Sequence, residues 1–205
     1  MSDKYRIEYD SHTRKDFEDV WNIEAEYFDS STISSVKQVM DWDRKNKDIY
    51  VFVRDIQINK IVGECTILPI SKEQFGGFLS NQWQDTELDS QDLLAYQEGN
   101  TYCLLFSAIA IDKKYRGDKT VLSYLLKGIN TRINNLIKKN IKFENMCAEA
   151  QTIDGQRFIE GFLNLKEKNV TKQGYKLYSF DCKEDMKKWI RIFPLYIERY
   201  SVTIK

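Results

Sequence analysis

A turn in the second half of the chain combines residue types that bind anions. The segment SAIAIDKKYRGDKTVLSYLLKG, residues 107–128, runs from an apolar stretch through Arg116 and Gly117 into an amphipathic helical pattern. The arginine supplies a cation, and the glycine lets the main chain approach a ligand closely. The start of a helix adds unpaired N–H groups and the positive end of the helix dipole. The pattern therefore favours a phosphate-holding turn, with an ordinary basic surface corner as the alternative.

Carboxylates inside strand-like segments are the candidate proton acceptors. Glu64 lies in GECTI and Glu149 in CAEAQT. A carboxylate in a cleft can take a proton from a nucleophile, although a hydrogen-bonded carboxylate at a sheet edge would explain Glu149 equally well. The single histidine, His12, begins a helical pattern and is expected near the surface. This position argues against a Ser-His-Asp arrangement, and one histidine cannot build a histidine-rich metal site.

Composition narrows the class of protein. The 31 basic and 31 acidic residues among 205 leave no net charge, which argues against non-specific nucleic-acid binding. No apolar stretch approaches the roughly 20 residues of a membrane span, and the first residues lack the apolar run of a signal peptide, so a cytoplasmic protein is expected. The cysteines form no C-x-x-C pair and are interpreted as free thiols in a reducing compartment: Cys65, Cys103, Cys147 and Cys182.

The candidate residues need helices and strands that position them. Helical spacing predicts helices over residues 13–28, 34–44, 119–139, 154–165 and from 183 onward. Runs of β-branched and aromatic residues predict strands over residues 49–55, 61–70, 101–112, 142–150, 174–181 and 200–204. Residues 72–99 are polar and weakly periodic, with one helical candidate at 90–96. This alternation favours an α/β or α+β sheet covered by helices.

The stretch IAIDKKYRGDKTVLSYLL resembles the GCN5-related N-acetyltransferase (GNAT) family. In that family a strand ends in a pattern similar to A-V-x-P-x-x-R-G-x-G-x-G and a leucine-rich helix follows. The matching positions here are Ala110, Ile111, Tyr115, Arg116, Gly117, Leu125 and Leu126. In element order the resemblance extends over residues 5–182. It implies an acyl-CoA N-acyltransferase-like fold: a central mixed, mostly antiparallel, twisted sheet of about six to seven strands flanked by helices.

The resemblance also implies a cofactor, acetyl-CoA. Backbone N–H groups of the turn and of the helix start would bind the pyrophosphate, and the end of the preceding strand would bind the pantetheine arm. The implied cofactor-binding residues are Ile109, Ala110, Ile111, Arg116, Gly117, Asp118, Lys119, Thr120, Val121 and Asp154. For Asp154, a helix N-cap is a sufficient explanation without any ligand.

Three positions depart from the family pattern. Lys113 stands at the proline, and Lys119 and Val121 stand at the last two small residues. A lysine ammonium could reach a phosphate, whereas the branched side chain of Val121 is expected to crowd the site. The turn is therefore a degenerate form of the pyrophosphate loop. Two alternatives stay open, a related fold that no longer binds the cofactor and an unrelated fold.

The implied reaction is transfer of an acetyl group from acetyl-CoA to a primary amine, by direct attack in a ternary complex. A backbone N–H at Ile109 or its neighbour would stabilise the oxyanion, and Glu149 is the candidate for proton acceptor. The family often protonates the leaving sulfur with a tyrosine of the next helix, but residues 154–165 contain none. Tyr175 and Tyr178 lie beyond it and are more simply explained as strand residues, which leaves the general acid unassigned.

The segment over residues 72–99 falls where this fold usually places part of its acceptor site. Its acidic and aromatic residues suit a cationic amine, either a small molecule or a protein or peptide amine: Glu73, Phe75, Phe78, Trp83, Asp85, Glu87, Asp89, Asp92, Tyr96 and Glu98. Solvated loop charges explain the same residues. A homodimer is left open.

The chain is interpreted as one acetyltransferase-like domain, residues 1–182, and an extension, residues 183–205, that packs on the domain or forms an interface. An apolar extension also fits a second class of function, a catalytically degenerate fold that acts as a binding or interaction module. Nucleic-acid binding through KKYRGDK and IKKNIK is the weakest alternative, because the net charge is zero.

Overall fold

A seven-stranded mixed sheet forms the centre of the protein, in the order β1-β2-β3-β4-β5-β7-β6. The structure is a computed structural model that describes the backbone of residues 4–202 and the side chains of residues 4–195 and of Ile197. The strands are β1 (Tyr5–Glu8), β2 (Tyr50–Asp55), β3 (Lys60–Ile70), β4 (Thr101–Ile111), β5 (Lys142–Ala150), β6 (Lys166–Val170) and β7 (Lys176–Ser179). Only β4 and β5 run parallel, so the expected mostly antiparallel α/β fold is confirmed.

Helices cover both faces of the sheet. They are α1 (Arg14–Glu24), α2 (Val36–Lys45), α3 (Lys72–Leu79), α4 (Lys119–Lys138), α5 (Ile153–Phe158, continued by a π-helical turn over Ile159–Leu163) and α6 (Lys183–Val202). Residues of α1, α2 and α3 share one core layer with Tyr50, Phe52 and Leu68 of the sheet. Residues of α4, the π-helical turn and α6 share the other with Val51, Val53 and Phe106. Alternate side chains of β2 therefore supply opposite layers, as the pleat requires.

Several predicted elements differ from those observed. The two edge strands of the sheet, β1 and β6, were not predicted. Strand β1 has only four residues, and every residue of β6 is exposed. The helix in the acidic segment is α3, whose Gly76 and Gly77 weaken the helical pattern, and no helix forms over residues 90–96. Helix α1 ends at Glu24 and not at residue 28.

The chain ends in a helix where a strand was predicted. Helix α6 extends to Val202, so the strand predicted over residues 200–204 is wrong for its first three residues, and the last two lie outside the described residues. Helix α6 buries four side chains in the same core as α4, those of Met186, Trp189, Phe193 and Ile197. Their spacing places one apolar stripe against the domain. Within residues 4–202, the structure contains no helix long and apolar enough to cross a membrane.

The environment of His12 differs from the expected one. Its side chain is 0% exposed, and Nδ1 lies 3.0 Å from Oδ1 of Asp43. The ring packs against Phe17 and Phe52, with the Phe52 centroid 4.4 Å away. A histidine just before a helix was expected near the surface, but the hydrophobic layer under α1 encloses its side chain. Cys65, Cys103 and Cys147 are buried and Cys182 is exposed, and all four thiols are free, as predicted.

Candidate active site

Strands β4 and β5 separate in the middle of the sheet. Their parallel pairing ends at Phe106 and Ala148, although β4 continues to pair with β3 as far as Ile111. The last residues of β5, Glu149 and Ala150, pair with β7 instead. Residues 107–111 of β4 therefore carry backbone groups with no strand partner on the side of β5, and a ligand can bind to them.

A cavity of about 930 Å³ opens at this separation. Most of the predicted site residues line it: Ile109, Ala110, Ile111, Arg116, Gly117, Asp118, Lys119, Glu149 and Asp154. Thr120 and Val121 do not line it. The cavity thus combines the unpaired part of β4, the turn before α4 and the start of α5.

Asp118 organises the turn before α4. Its Oδ1 accepts the N–H of Thr120 at 2.8 Å, and its Oδ2 accepts the hydroxyl of Tyr5 at 2.7 Å. Burial alone would raise the pKa of Asp118, but the hydrogen bonds from Tyr5 and Thr120 hold it below the ordinary value. A negative charge at this helix start is stabilised by the helix dipole. Asp118 is therefore the N-cap of α4.

Two amides of this turn have no partner among the described residues. Four N–H groups donate hydrogen bonds within the turn, those of Arg116, Asp118, Thr120 and Val121. Those of Gly117 and Lys119 do not, and both residues line the cavity. Gly117 has φ +91°, a conformation that only glycine adopts without strain. The turn offers two free N–H donors and the Lys119 ammonium to an anion.

The side chain of Val121 does not crowd the site, contrary to the sequence-based expectation. It is fully buried and packs on the sheet side of α4, beside Gly63 and Leu125. Because its N–H is also bonded to the carbonyl of Asp118, at 3.2 Å, neither part of Val121 is available to a ligand in the cavity. The helix has turned this position toward the core, so the branched side chain is accommodated.

Arg116 and Asp154 form an ion pair across the mouth of the cavity. Both side chains are more than half exposed, and Arg157 also lies near Asp154, at 3.4 Å. The guanidinium of Arg116 stands 5.6 Å from the ring centroid of Tyr27. Tyr27 donates its hydroxyl to the carbonyl of Ile111 at 2.6 Å, which fixes the end of β4 to the segment after α1.

Carboxylates surround the opposite end of the cavity. Asp85 accepts the hydroxyl of Ser107 at 2.5 Å, and Glu149 accepts an N–H of Gln151 at 2.7 Å. Burial raises the pKa of Glu24 to about 8, and the charge of Asp85 adds to this effect. Burial also raises the pKa of Asp85 and of Glu149. Acidic groups with raised pKa values in a cavity are typical of proton-transfer sites.

The acidic segment over residues 72–99 contributes less than predicted. Only Phe78 and Asp85 of the residues named from it line the cavity. Tyr96 packs on Tyr102 and Phe143, and Trp83 packs on Phe78. No local pattern distinguishes Asp85 from the other acidic residues of this segment. Glu24 and Tyr27 were missed entirely, because they belong to a helix end and a loop far from β4 in the chain.

An aromatic residue without a hydroxyl lines the cavity from α5. Phe158 packs between Phe106 and Phe162, with ring centroids 5.8 and 5.2 Å away. Tyr178 donates to Glu160 at 2.8 Å and does not line the cavity, nor does Tyr175. Neither tyrosine is positioned as a proton donor in this cavity.

Solved structures with the same fold are numerous, although no family model and no curated protein sequence matches the chain. The loading GNATL domain of CurA from Lyngbya majuscula superposes with a TM-score of 0.57 at 13% identity, over 87% of this chain and 98% of that one. An N-acetyltransferase from Staphylococcus aureus Mu50 has a TM-score of 0.52 at 12% identity, over 87% and 99%. The NatC complex bound to Gag peptide and CoA gives 0.56 at 6% identity, over 86% and 96%.

These neighbours agree with the architecture built up above. The superpositions cover 87% of this chain and nearly the whole of each neighbour. At such identities the likeness concerns the fold alone. This chain has the fold of the GCN5-related N-acetyltransferases.

Proposed function

We propose that the protein transfers an acetyl group from acetyl-CoA to a primary amine. One observation carries the proposal: the unpaired part of β4, residues 107–111, connects a cationic end of the cavity to an acidic end. Phosphates suit the first end and an amine suits the second. A thioester lying along β4 would bring the acetyl carbon between them.

The cationic end would hold the pyrophosphate of coenzyme A. The free N–H groups of Gly117 and Lys119 and the start of α4 are the main donors, with the Lys119 ammonium as a further charge. Arg116 would exchange its contact with Asp154 for a phosphate, and Asp154 would serve to hold Arg116 at the mouth of the cavity. The solved NatC complex, a neighbour in fold, contains CoA and so supports this interpretation.

The chemistry would take place along β4. In the tetrahedral intermediate, negative charge develops on the carbonyl oxygen, and a backbone N–H at Ile109 or its neighbour would stabilise it. The attacking amine must lose a proton, for which Glu149 and the other carboxylates of the inner end are the candidates. These groups lie in one cavity with β4, which supports a direct transfer within a ternary complex.

Calorimetric titration with CoA and acetyl-CoA tests the cofactor. We expect saturable binding of both by the wild type, and about tenfold weaker binding by Lys119→Glu, because the new carboxylate would repel the phosphates. Lys127→Glu, an exposed change on the same helix, should bind as the wild type does. Absence of heat at high micromolar concentrations of either ligand would refute the proposed acetyltransferase activity.

A second candidate function, an interaction module, is favoured by one observation. In this structure the Arg116 side chain, which would contact phosphates, is already paired with Asp154, and the Asp118 carboxylate stands at the helix start. Under this alternative the pair is permanent and the cavity admits no phosphate. The same titration separates the two functions, since only the enzyme binds CoA.

A further inference from the structure

The two ends of the cavity differ in how their charges are balanced. The cations that line it come from the turn before α4 and from α5: Lys113, Arg116, Lys119 and Arg157. The carboxylates at the inner end are Glu24, Asp85 and Glu149. Among the described residues, no lysine or arginine forms an ion pair with any of these three. Glu24, Asp85 and Glu149 are partly buried. Charged carboxylates that are withdrawn from water without a cation are unfavourable unless they are protonated or a cationic ligand binds them.

Glu24 is the inner carboxylate whose oxygens are free. Asp85 already accepts a hydrogen bond from Ser107, and Glu149 accepts one from Gln151. Within the part of the chain that the structure describes, no donor is bonded to the Glu24 carboxylate. Glu24 is the last residue of α1, and it lines the cavity from this helix and not from strand β4.

A second carboxylate, that of Glu64, interacts electrostatically with Glu24. Glu64 of β3 is 0% exposed, and its Oε1 has no hydrogen-bond partner among the residues that the structure describes. Its other oxygen accepts the hydroxyl of Thr66 at 3.2 Å, and Thr66 lines the cavity. Burial raises the pKa of Glu64 well above its ordinary value, and the charge of Glu24 adds to this. Both Glu64 and Asp85 therefore disfavour a negative charge on Glu24, unless a cation is bound beside it.

Apolar side chains form the wall beside these carboxylates. Trp42 and Phe78 line the cavity next to the segment that carries Asp85. The indole N–H of Trp42 donates to the carbonyl of Leu88 at 3.2 Å, and Phe78 packs against Trp83 with centroids 5.3 Å apart. A group with a charged head and a hydrocarbon body matches such a site, because Trp42 and Phe78 present apolar surface beside the carboxylates.

We propose that Glu24 and Asp85 form the binding subsite for a primary aliphatic ammonium, and that Glu24 is the catalytic residue that takes its proton. The proposal rests on the proposed function and names its acceptor class. Asp85, fixed by Ser107, orients the ammonium. Trp42 and Phe78 contact its hydrocarbon chain. Glu149 stays bonded to Gln151 and contributes charge without accepting the proton.

The proton and the bonds balance in this scheme. The ammonium gives one proton to the Glu24 carboxylate and becomes a neutral amine. Its nitrogen then attacks the thioester carbonyl, so that a C–N bond forms and the C–S bond breaks. A second proton leaves the nitrogen as the intermediate collapses, and the departing sulfur takes it. Because the substrate itself supplies that proton, no tyrosine on α5 is needed, in agreement with the presence of Phe158 there.

Butylamine is the probe for the subsite, and butyrate and 1-butanol are its controls. Calorimetry on the CoA-loaded protein should detect butylamine binding, and comparison of two buffers with different ionisation enthalpies should reveal a proton released on binding. Glu24→Gln should abolish the proton release. Glu18→Gln, the same change on an exposed position of α1, should retain it. Equal affinity for butyrate or 1-butanol in the wild type would overturn the proposal.

Release of CoA thiol with butylamine as acceptor tests the catalytic role. Glu24→Gln should lower the rate by about 100-fold or more at neutral pH, with CoA affinity unchanged, and Glu18→Gln should not. Glu149→Gln should lower the rate much less than Glu24→Gln; the reverse order would overturn the assignment of Glu24. If the wild type does not bind CoA, the proposed function is refuted. If it binds CoA but Glu24→Gln changes neither the proton release nor the rate, only the subsite is refuted.

Discussion

Val121 packs against Gly63 across the interface between α4 and the sheet. A Cβ on Gly63 would lie 3.1 Å from Cγ1 of Val121 and equally close to Cδ1 of Leu125. The glycine therefore allows α4 to lie directly on β3, with the branched side chain of Val121 filling the contact. The residue that looked most damaging to a cofactor loop is part of the hydrophobic core.

This contact predicts that stability and cofactor affinity respond separately to Val121. Val121→Ala should lower the free energy of unfolding by about 1 to 3 kcal/mol, because it leaves a cavity in the core. Gly63→Ala should cost about 1 to 3 kcal/mol through overpacking. Urea denaturation measures both changes, and CoA affinity by calorimetry should stay at the wild-type value. A weaker affinity with unchanged stability would mean that Val121 does contact the cofactor.

The Arg116–Asp154 pair predicts a non-additive effect on CoA affinity. Arg116→Ala should weaken binding by about 3- to 10-fold, since the side chain is half exposed and backbone donors remain. Asp154→Asn should strengthen binding by a few-fold, because it releases Arg116. The double variant should equal Arg116→Ala, as coupled residues do in such a cycle. If Asp154→Asn weakens binding as much as Arg116→Ala does, Asp154 itself holds the cofactor.

Tyr27 predicts a link between the loop after α1 and the end of β4. Tyr27→Phe removes the 2.6 Å hydrogen bond to the Ile111 carbonyl and should cost about 0.5 to 1.5 kcal/mol of stability. It should also raise the KM for acetyl-CoA, because residues 109–111 lose an anchor. Ser30→Ala, a change at an exposed position of the same loop that does not line the cavity, provides a control for effects on the loop. An unchanged KM would show that β3 alone fixes this part of β4.

The raised pKa of Glu24 predicts how stability depends on pH. In the folded chain the pKa of Glu24 is about 8, whereas the ordinary pKa of a glutamate is 4.5. The stability that this proton contributes is complete below about pH 4.5 and is lost as the pH rises through about 8. Glu24→Gln should therefore match the wild type at pH 4 and exceed it by about 1 to 3 kcal/mol at pH 9.

Thermal or urea unfolding at several pH values measures this difference. The carboxylates of Asp85 and Glu64 stay in place in the variant, so the pH dependence should decrease but not vanish. Glu18→Gln, on the exposed face of α1, should follow the wild type throughout. A constant difference in the free energy of unfolding between Glu24→Gln and the wild type at all pH values would contradict a partly buried Glu24 with a raised pKa.

Helix α6 predicts that the end of the chain stabilises the domain. Trp189 is 2% exposed, and its ring centroid lies 4.4 Å from that of Phe193. Trp189→Ala should lower the free energy of unfolding by about 3 to 5 kcal/mol. Trp189→Phe should cost much less, because it also removes a buried indole N–H that has no partner in the described structure. Size-exclusion chromatography should show the same oligomeric state for the wild type, Trp189→Ala and Trp189→Phe. Dissociation of an oligomer in either variant would identify α6 as an interface.

Much of the fold followed from local patterns. The long apolar run before Asp112 and the leucine stripe after Asp118 predicted β4 and α4 nearly to the residue, because each has a strong period and a clear end. The edge strands β1 and β6 were not predicted. Strand β1 alternates apolar and polar residues over only four positions, too few for a clear signal, and every residue of β6 is exposed. Both strands are stabilised by pairing with β2 and β7.

The sequence by itself determined the local conformation of the turn at Arg116 and Gly117, since a glycine with positive φ and a helix N-terminus act locally. Only the tertiary structure decided which carboxylates face the cavity and which way Val121 points. Glu24 and Asp85 are far from β4 along the chain and meet there because α1 and the segment after α3 pack on the same face of the sheet. Side chains brought together by packing over long sequence distances have no shared local pattern, so their convergence is a property of the fold.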